Sequence, residues 1–137
     1  MRLGEILIER GKLDLANLER ALRLQETNKQ ERIGAILTRT GFAAERDVIE
    51  ALSVQMGLPV VPLASYPELP ILEERVSARF IKESRVVPLS ENEALLLLAM
   101  VDPADEYVLN AFRLVTGRKV VAQLAVPSEL DAAYERL

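Results

Sequence analysis

This 137-residue chain has no cysteine, no histidine and no tryptophan, and aromatic residues make up only 4% of it. Without cysteine there are no disulfides and no thiolate metal sites, which agrees with a cytoplasmic home. Without histidine the chain lacks the commonest general base and the commonest zinc ligand, so Ser/His/Asp and Cys/His catalysis are excluded. So few rings cannot build a base-stacking platform, and 17 Lys and Arg against 21 Asp and Glu give no cationic excess for a phosphate backbone. No nucleic-acid partner is therefore expected. The longest apolar run, Ala94 to Val101, has eight residues, far below the roughly 20 of a membrane-spanning helix. The N-terminus, with Arg2, Glu5, Glu9 and Arg10 around a short apolar stretch, lacks the build of a secretory signal. Nowhere does a P-loop sequence occur, so ATP hydrolysis by that route is excluded.

What is present is a duplication. Residues 2–25, RLGEILIERGKLDLANLERALRLQ, align without a gap on residues 32–55, RIGAILTRTGFAAERDVIEALSVQ, at a constant shift of 30. Apolar matches between two amphipathic helices carry little information. The pairs Arg2/Arg32, Gly4/Gly34, Gly11/Gly41 and Gln25/Gln55 carry more, because core packing alone does not ask for them. One small structure built twice is the expectation.

Each copy reads as a short helix, a glycine turn and a longer helix. The first short helix, Leu3 to Arg10, ends at Gly11, which adopts positive φ at little cost. Asp14 is the expected N-cap of the longer helix, whose Leu15, Leu18, Ala21 and Leu22 form one stripe. In the second copy Val48, Ala51, Leu52 and Met56 form the stripe, Ala44 stands where Asp14 stood, and Gly57 with Pro59 stops the helix. Residues 59–70, PVVPLASYPELP, hold four of the seven prolines and are expected to be a junction. Beyond it, a helix over Leu72–Glu83, a strand over Val86–Leu89 and a doubly buried strand over Ala94–Val101 are expected, with Glu91 and Asn92 in the turn between the strands. A helix starting at Asp102-Pro103 and ending at Gly117, a strand over Lys119–Ala125 and a last helix from Ser128 follow. The expected class is α+β: an all-helical subdomain over residues 1–58 built from the tandem repeat, the junction over 59–70, and a small αβ sandwich over 71–137. Its sheet has three strands, or four in a ferredoxin-like order if Val60–Leu63 is extended. The end of the chain inside the last expected helix reads as a cut in something longer.

The repeated residues can be read two ways. An arginine beside a glycine at a helix start is either a solvated side chain next to a small packing position, or a guanidinium poised for a guanine edge or a phosphate, with backbone N–H groups open to close approach. Recurrence in register favours the second. Leu18, Leu22 and Gln25, like Val48, Leu52 and Gln55, then offer two aliphatic side chains and an amide to a flat base; the alternative is a core stripe whose solvent end is capped by glutamine. Asp102 and Asp105 read as helix-start carboxylates rather than a metal pair. Glu73-Glu74 and Glu91/Glu93 read as solvated faces, and Arg118-Lys119 as a charged strand start.

The duplicated motif, the proline-rich stretch and the segment LLLLAMVDPAD together resemble the N-terminal region of the type II secretion and type IV pilus assembly ATPases. The resemblance implies a non-catalytic regulatory and docking portion of a hexameric motor, with ATP and Mg bound only in a catalytic domain that this chain lacks. It implies docking onto the cytoplasmic domain of an inner-membrane platform protein, hence a cytoplasmic location peripheral to the inner membrane, with membrane contact only through that partner and the ATPase core as a partner in cis. Some members bind cyclic di-GMP through the duplicated motif. On this chain the matching positions are Arg2, Leu3, Gly4, Leu18, Leu22 and Gln25, and Arg32, Ile33, Gly34, Val48, Leu52 and Gln55. Ile33 and Val48 replace the usual leucines, and the spacer Glu26–Glu31 is one residue longer than in the nucleotide-binding members.

Overall fold

A computed structural model of the chain describes residues 2–137. It resolves into two compact units, one ending at Gly57 and one starting at Leu58.

The first unit contains α1 (Leu3–Glu9), α2 (Leu15–Thr27), α3 (Ile33–Thr40) and α4 (Glu45–Met56). Gly11, Gly41 and Gly57 all take positive φ, between 68° and 77°, which is why the short helices and the second long one stop there. Asp14 caps α2, its carboxylate accepting from the Asn17 N–H at 2.8 Å. Ala44 has nearly the same extended backbone and offers no side-chain cap. Ala44→Asp is therefore expected to stabilise the unit by about 0.5–1 kcal/mol, the usual value of such a cap, read as a shift in the urea midpoint. The repeats do not fold separately. The short helix of each copy packs on the long helix of the other, α1 on α4 and α2 on α3, so Leu3, Leu7, Ala21, Ile36, Leu37, Val48 and Ala51 share one core.

The second unit contains α5 (Ala78–Glu83), β1 (Val86–Glu91), β2 (Leu95–Met100), α6 (Glu106–Thr116), β3 (Lys119–Leu124) and α7 (Pro127–Arg136). The sheet order is β1-β2-β3, with β1 antiparallel and β3 parallel to the central β2. The parallel pair needs a crossover, which α6 supplies. Strand alternation splits the core in two. Leu96, Leu98 and Met100 face one side with Phe112, Val108 and Leu109 of α6; Val87 and Ala99 face the other with Leu130 and Ala133 of α7. Helices thus cover both faces, which explains why β2 reads as an unbroken apolar run.

Two expectations are corrected, and one open alternative is decided. The helix over Leu72–Glu83 shrinks to Ala78–Glu83, because Leu72 has φ 64° and Ser77 caps the helix by accepting from the Phe80 N–H. The start of α6 is Asp105, which accepts from the Val108 N–H, not Asp102. Val60–Leu63 contributes a single bridge, Val60 to Leu124, so the sheet has three strands among the described residues. The proline-rich stretch is itself part of the second unit, since Val61 and Tyr66 are buried in its α7-side core.

That core carries a pH dependence. Tyr66 is only 5% exposed and its hydroxyl has no hydrogen-bond partner. Burial, then the nearby Glu129 charge, push it up to about 12. The Tyr134 hydroxyl, lying 2.9 and 2.8 Å from the Ile81 and Val86 carbonyls, is likewise pushed by burial up to about 12. Both folded values exceed that of an unfolded tyrosine, so their stabilising contribution is complete below about pH 10 and is lost as pH rises toward 12. A rise from 10 to about 12 corresponds to roughly 3 kcal/mol per tyrosine. Urea melts at pH 8 and pH 11 are expected to show this loss in the parent chain and a smaller one in Tyr66→Phe, which at pH 8 is as stable or up to about 1 kcal/mol more so.

Candidate functional site

The duplicated residues occupy equivalent places. Arg2 and Arg32 are the N-caps of α1 and α3 with matching extended backbones, φ −75° and ψ 156° against φ −74° and ψ 150°. Both arginines are exposed and neither side chain caps its helix, so each guanidinium is supported by a helix start rather than spent on it. Arg2 N–H makes a long contact, 3.4 Å, with the Glu5 carboxylate. At both helix starts the first N–H groups lack intrahelical partners and favour negative charge.

Behind each arginine the chain is packed tightly. A Cβ on Gly4 would lie 2.7 Å from Leu18 Cδ1, and one on Gly34 would lie 3.2 Å from Val48 Cγ1 and 3.3 Å from Leu3 Cδ2. The glycines thus leave room for a side chain from the long helix of their own copy, Leu18 or Val48, which accounts for their recurrence through packing. This geometry brings together Gly4 with Leu18, and Gly34 with Leu3, Val48 and Leu52.

The two copies differ in what they leave uncovered. Leu3 is buried and Ile33 half-buried; Leu18 is half-buried and Val48 buried. Leu22 is 43% exposed where Leu52 is half-buried. Gln25 is half-buried and its amide donates to the Glu31 carbonyl at 3.2 Å, whereas Gln55 is exposed. The first copy therefore shows the more open apolar face.

The spacer holds a feature that the sequence reading missed. Glu31 receives two hydrogen bonds from the Arg39 guanidinium, at 3.0 and 2.9 Å, and this pairing holds the Glu31 carboxyl below its ordinary range. The sequence signal was a break in the repeat: at the shift of 30, Arg39 stands opposite Glu9.

In the second unit, too, charged residues pair with one another. Glu91, expected as a solvated face, is bound by Arg75 at 2.6 Å and Arg118 at 2.8 Å, so Arg118 has its acidic partner within the chain. An open groove of about 270 Å³ in the second unit is lined by Val76, Phe80, Ala111, Phe112 and Val115 with Arg75 and Ser77 at its edge. Among the described residues there is no cluster of three acidic, His or Cys side chains to hold a metal, and no helix is long and apolar enough to cross a membrane.

Comparison with known proteins places these features in a shared frame. The family model of the MshEN domain matches residues 56–137. The type II secretion system protein E of Xanthomonas campestris pv. campestris is 34% identical over 98% of this chain, and the type IV pilus assembly ATPase PilB of Myxococcus xanthus is 28% identical over 98% of it. The chain spans 24% of the length of each of these two proteins. A solved N-terminal domain of XpsE superposes with a TM-score of 0.76 at 34% identity, covering 98% of this chain and 92% of that one. A structure of MshE with cdg superposes with a TM-score of 0.71 at 28% identity, covering 99% and 98%.

Proposed function

This chain belongs to the MshEN domain family, and from that premise we propose that it is the non-catalytic regulatory and docking module of a secretion or pilus assembly ATPase. Its relatives are N-terminal domains of type II secretion and type IV pilus ATPases. In this reading ATP and Mg are handled by a catalytic core outside these residues, and the module works through what it binds.

The ligand we propose is cyclic di-GMP, taken by the duplicated motif. The observation that carries this reading is the pair of exposed arginines at geometrically equivalent helix starts, each beside a glycine-packed helix pair. A ligand with two guanines and two phosphates presents the same chemistry twice. Arg2 and Arg32 would grip guanine edges or phosphates, Leu18 with Leu22 and Val48 with Leu52 would pack the bases, and Gln25 and Gln55 would meet their polar edges. The MshE chain that this chain covers over 98% was solved with cdg, which supports the ligand class. Calorimetric titration of the 137-residue chain is the test. Saturating ligand must give heat and a raised melting temperature by mass action; neither, at concentrations far above micromolar, sinks the reading.

A second reading adds docking onto the cytoplasmic domain of an inner-membrane platform protein, which would hold the module at the cytoplasmic side of that membrane without inserting it. Exposed Leu15, Leu24 and Val54 on α2 and α4 support it, since such side chains gain by burial against a partner helix. Co-purification with that cytoplasmic domain, lost when residues 2–57 are deleted, is the expected result.

A further inference from the structure

The spacer joins the two copies through a closed set of contacts. Glu31 immediately precedes Arg32, the N-cap of α3. Its carbonyl accepts from the Gln25 amide at 3.2 Å, its carboxylate is held on both oxygens by Arg39, and its N–H donates to the Asn28 carbonyl at 3.1 Å. The peptide that delivers Arg32 is thus tied at three points, from α2, from the spacer and from the far end of α3. The fork of a guanidinium on a carboxylate fixes orientation as well as distance. Because the Gln25 amide carries two N–H groups and a carbonyl, one donated bond leaves it able to meet a ligand while still holding the spacer.

In the first copy the position equivalent to Arg39 is Glu9, of the wrong charge for this role.

We propose that Gln25, Glu31 and Arg39 form a clamp that presets Arg32 for the ligand at the second copy of the motif. This rests on the cyclic di-GMP reading above. It also gives the spacer a role, as the point at which the copies are linked. Arg39 is then a positioning residue: it acts through Arg32 and touches no ligand. Holding a binding group in place strengthens binding by lowering the ordering cost at association.

The test uses the full 137-residue chain and cyclic di-GMP in calorimetry, with ¹⁵N relaxation on the free protein. Arg39→Ala, an exposed substitution, is expected to leave the melting temperature of the free chain within about a degree and to weaken binding about 5–10-fold. That loss should vanish in an Arg32→Ala background and persist in an Arg2→Ala background, as a residue acting through Arg32 requires. Backbone order parameters at Glu31 and Arg32 should fall in Arg39→Ala while those at Arg2 stay unchanged, and Glu31→Gln should behave alike. Equal losses in both backgrounds, or unchanged binding and order in Arg39→Ala, overturn the clamp. If the parent chain does not bind but order at Glu31 and Arg32 falls in Arg39→Ala, the ligand reading fails and the clamp stands as a structural device. Absence of both effects ends both.

Discussion

The double variant Arg2→Ala/Arg32→Ala is expected to bind cyclic di-GMP about 10²–10⁴-fold more weakly than the parent chain. A hydrogen bond to a charged group is worth roughly 1.5–3 kcal/mol when the site is desolvated, and two such losses give about 3–6 kcal/mol. Each single variant should show about half of this, with additivity as far as the two arginines do not share a contact. The fold itself should be untouched, because both side chains are exposed and neither caps its helix. Calorimetry for affinity and circular dichroism for the melting curve separate the two effects. A double variant that binds as tightly as the parent would remove both arginines from the site. One that loses binding together with helicity would show that the arginines serve the fold instead.

Phe112→Ala is expected to cost the second unit about 3–5 kcal/mol, the range for removing a fully buried aromatic ring. The ring has no solvent exposure and sits 6.0 Å, centroid to centroid, from Phe80 at a tilt of 45°. It also fills the face of the sheet made by Leu96, Leu98 and Met100. Whole domains have only about 5–15 kcal/mol to lose, so this variant is left marginal. Phe112→Leu, which keeps most of the volume, should cost under about 1.5 kcal/mol. Urea denaturation followed by far-ultraviolet circular dichroism reads both, and equal losses for the two variants would mean that filled volume, which leucine largely restores, is not what Phe112 contributes.

Much of the first unit was legible in the residues because its signals are local. Positive φ at Gly11, Gly41 and Gly57 follows from glycine's lack of a Cβ, and Asp14 caps α2 through a carboxylate that reaches its own helix start. Such features depend on neighbours a few positions away. The second unit was legible where periodicity is strong, as in β2, and misread where a local preference was overruled. Leu72 takes a backbone that leucine avoids and is buried, so packing outweighs the helical pattern of the residues after it. Asp102 and Asp105 are both good caps, and propensity alone does not choose between them.

For the candidate site the division is sharper. The sequence by itself determined that one helical motif occurs twice, that arginine, glycine and glutamine recur in register, and that no catalytic histidine, cysteine or phosphate loop is present. Those facts are written in residue identity and spacing. Only the tertiary structure decided that α1 packs on α4 and α2 on α3, that the glycines are filled from behind by Leu18 and Val48, and that Gln25 and Arg39 converge on Glu31. The reason is that identical local sequences carry identical propensities, while burial and pairing depend on partners from elsewhere in the chain. Two equal motifs thereby become unequal halves of one unit.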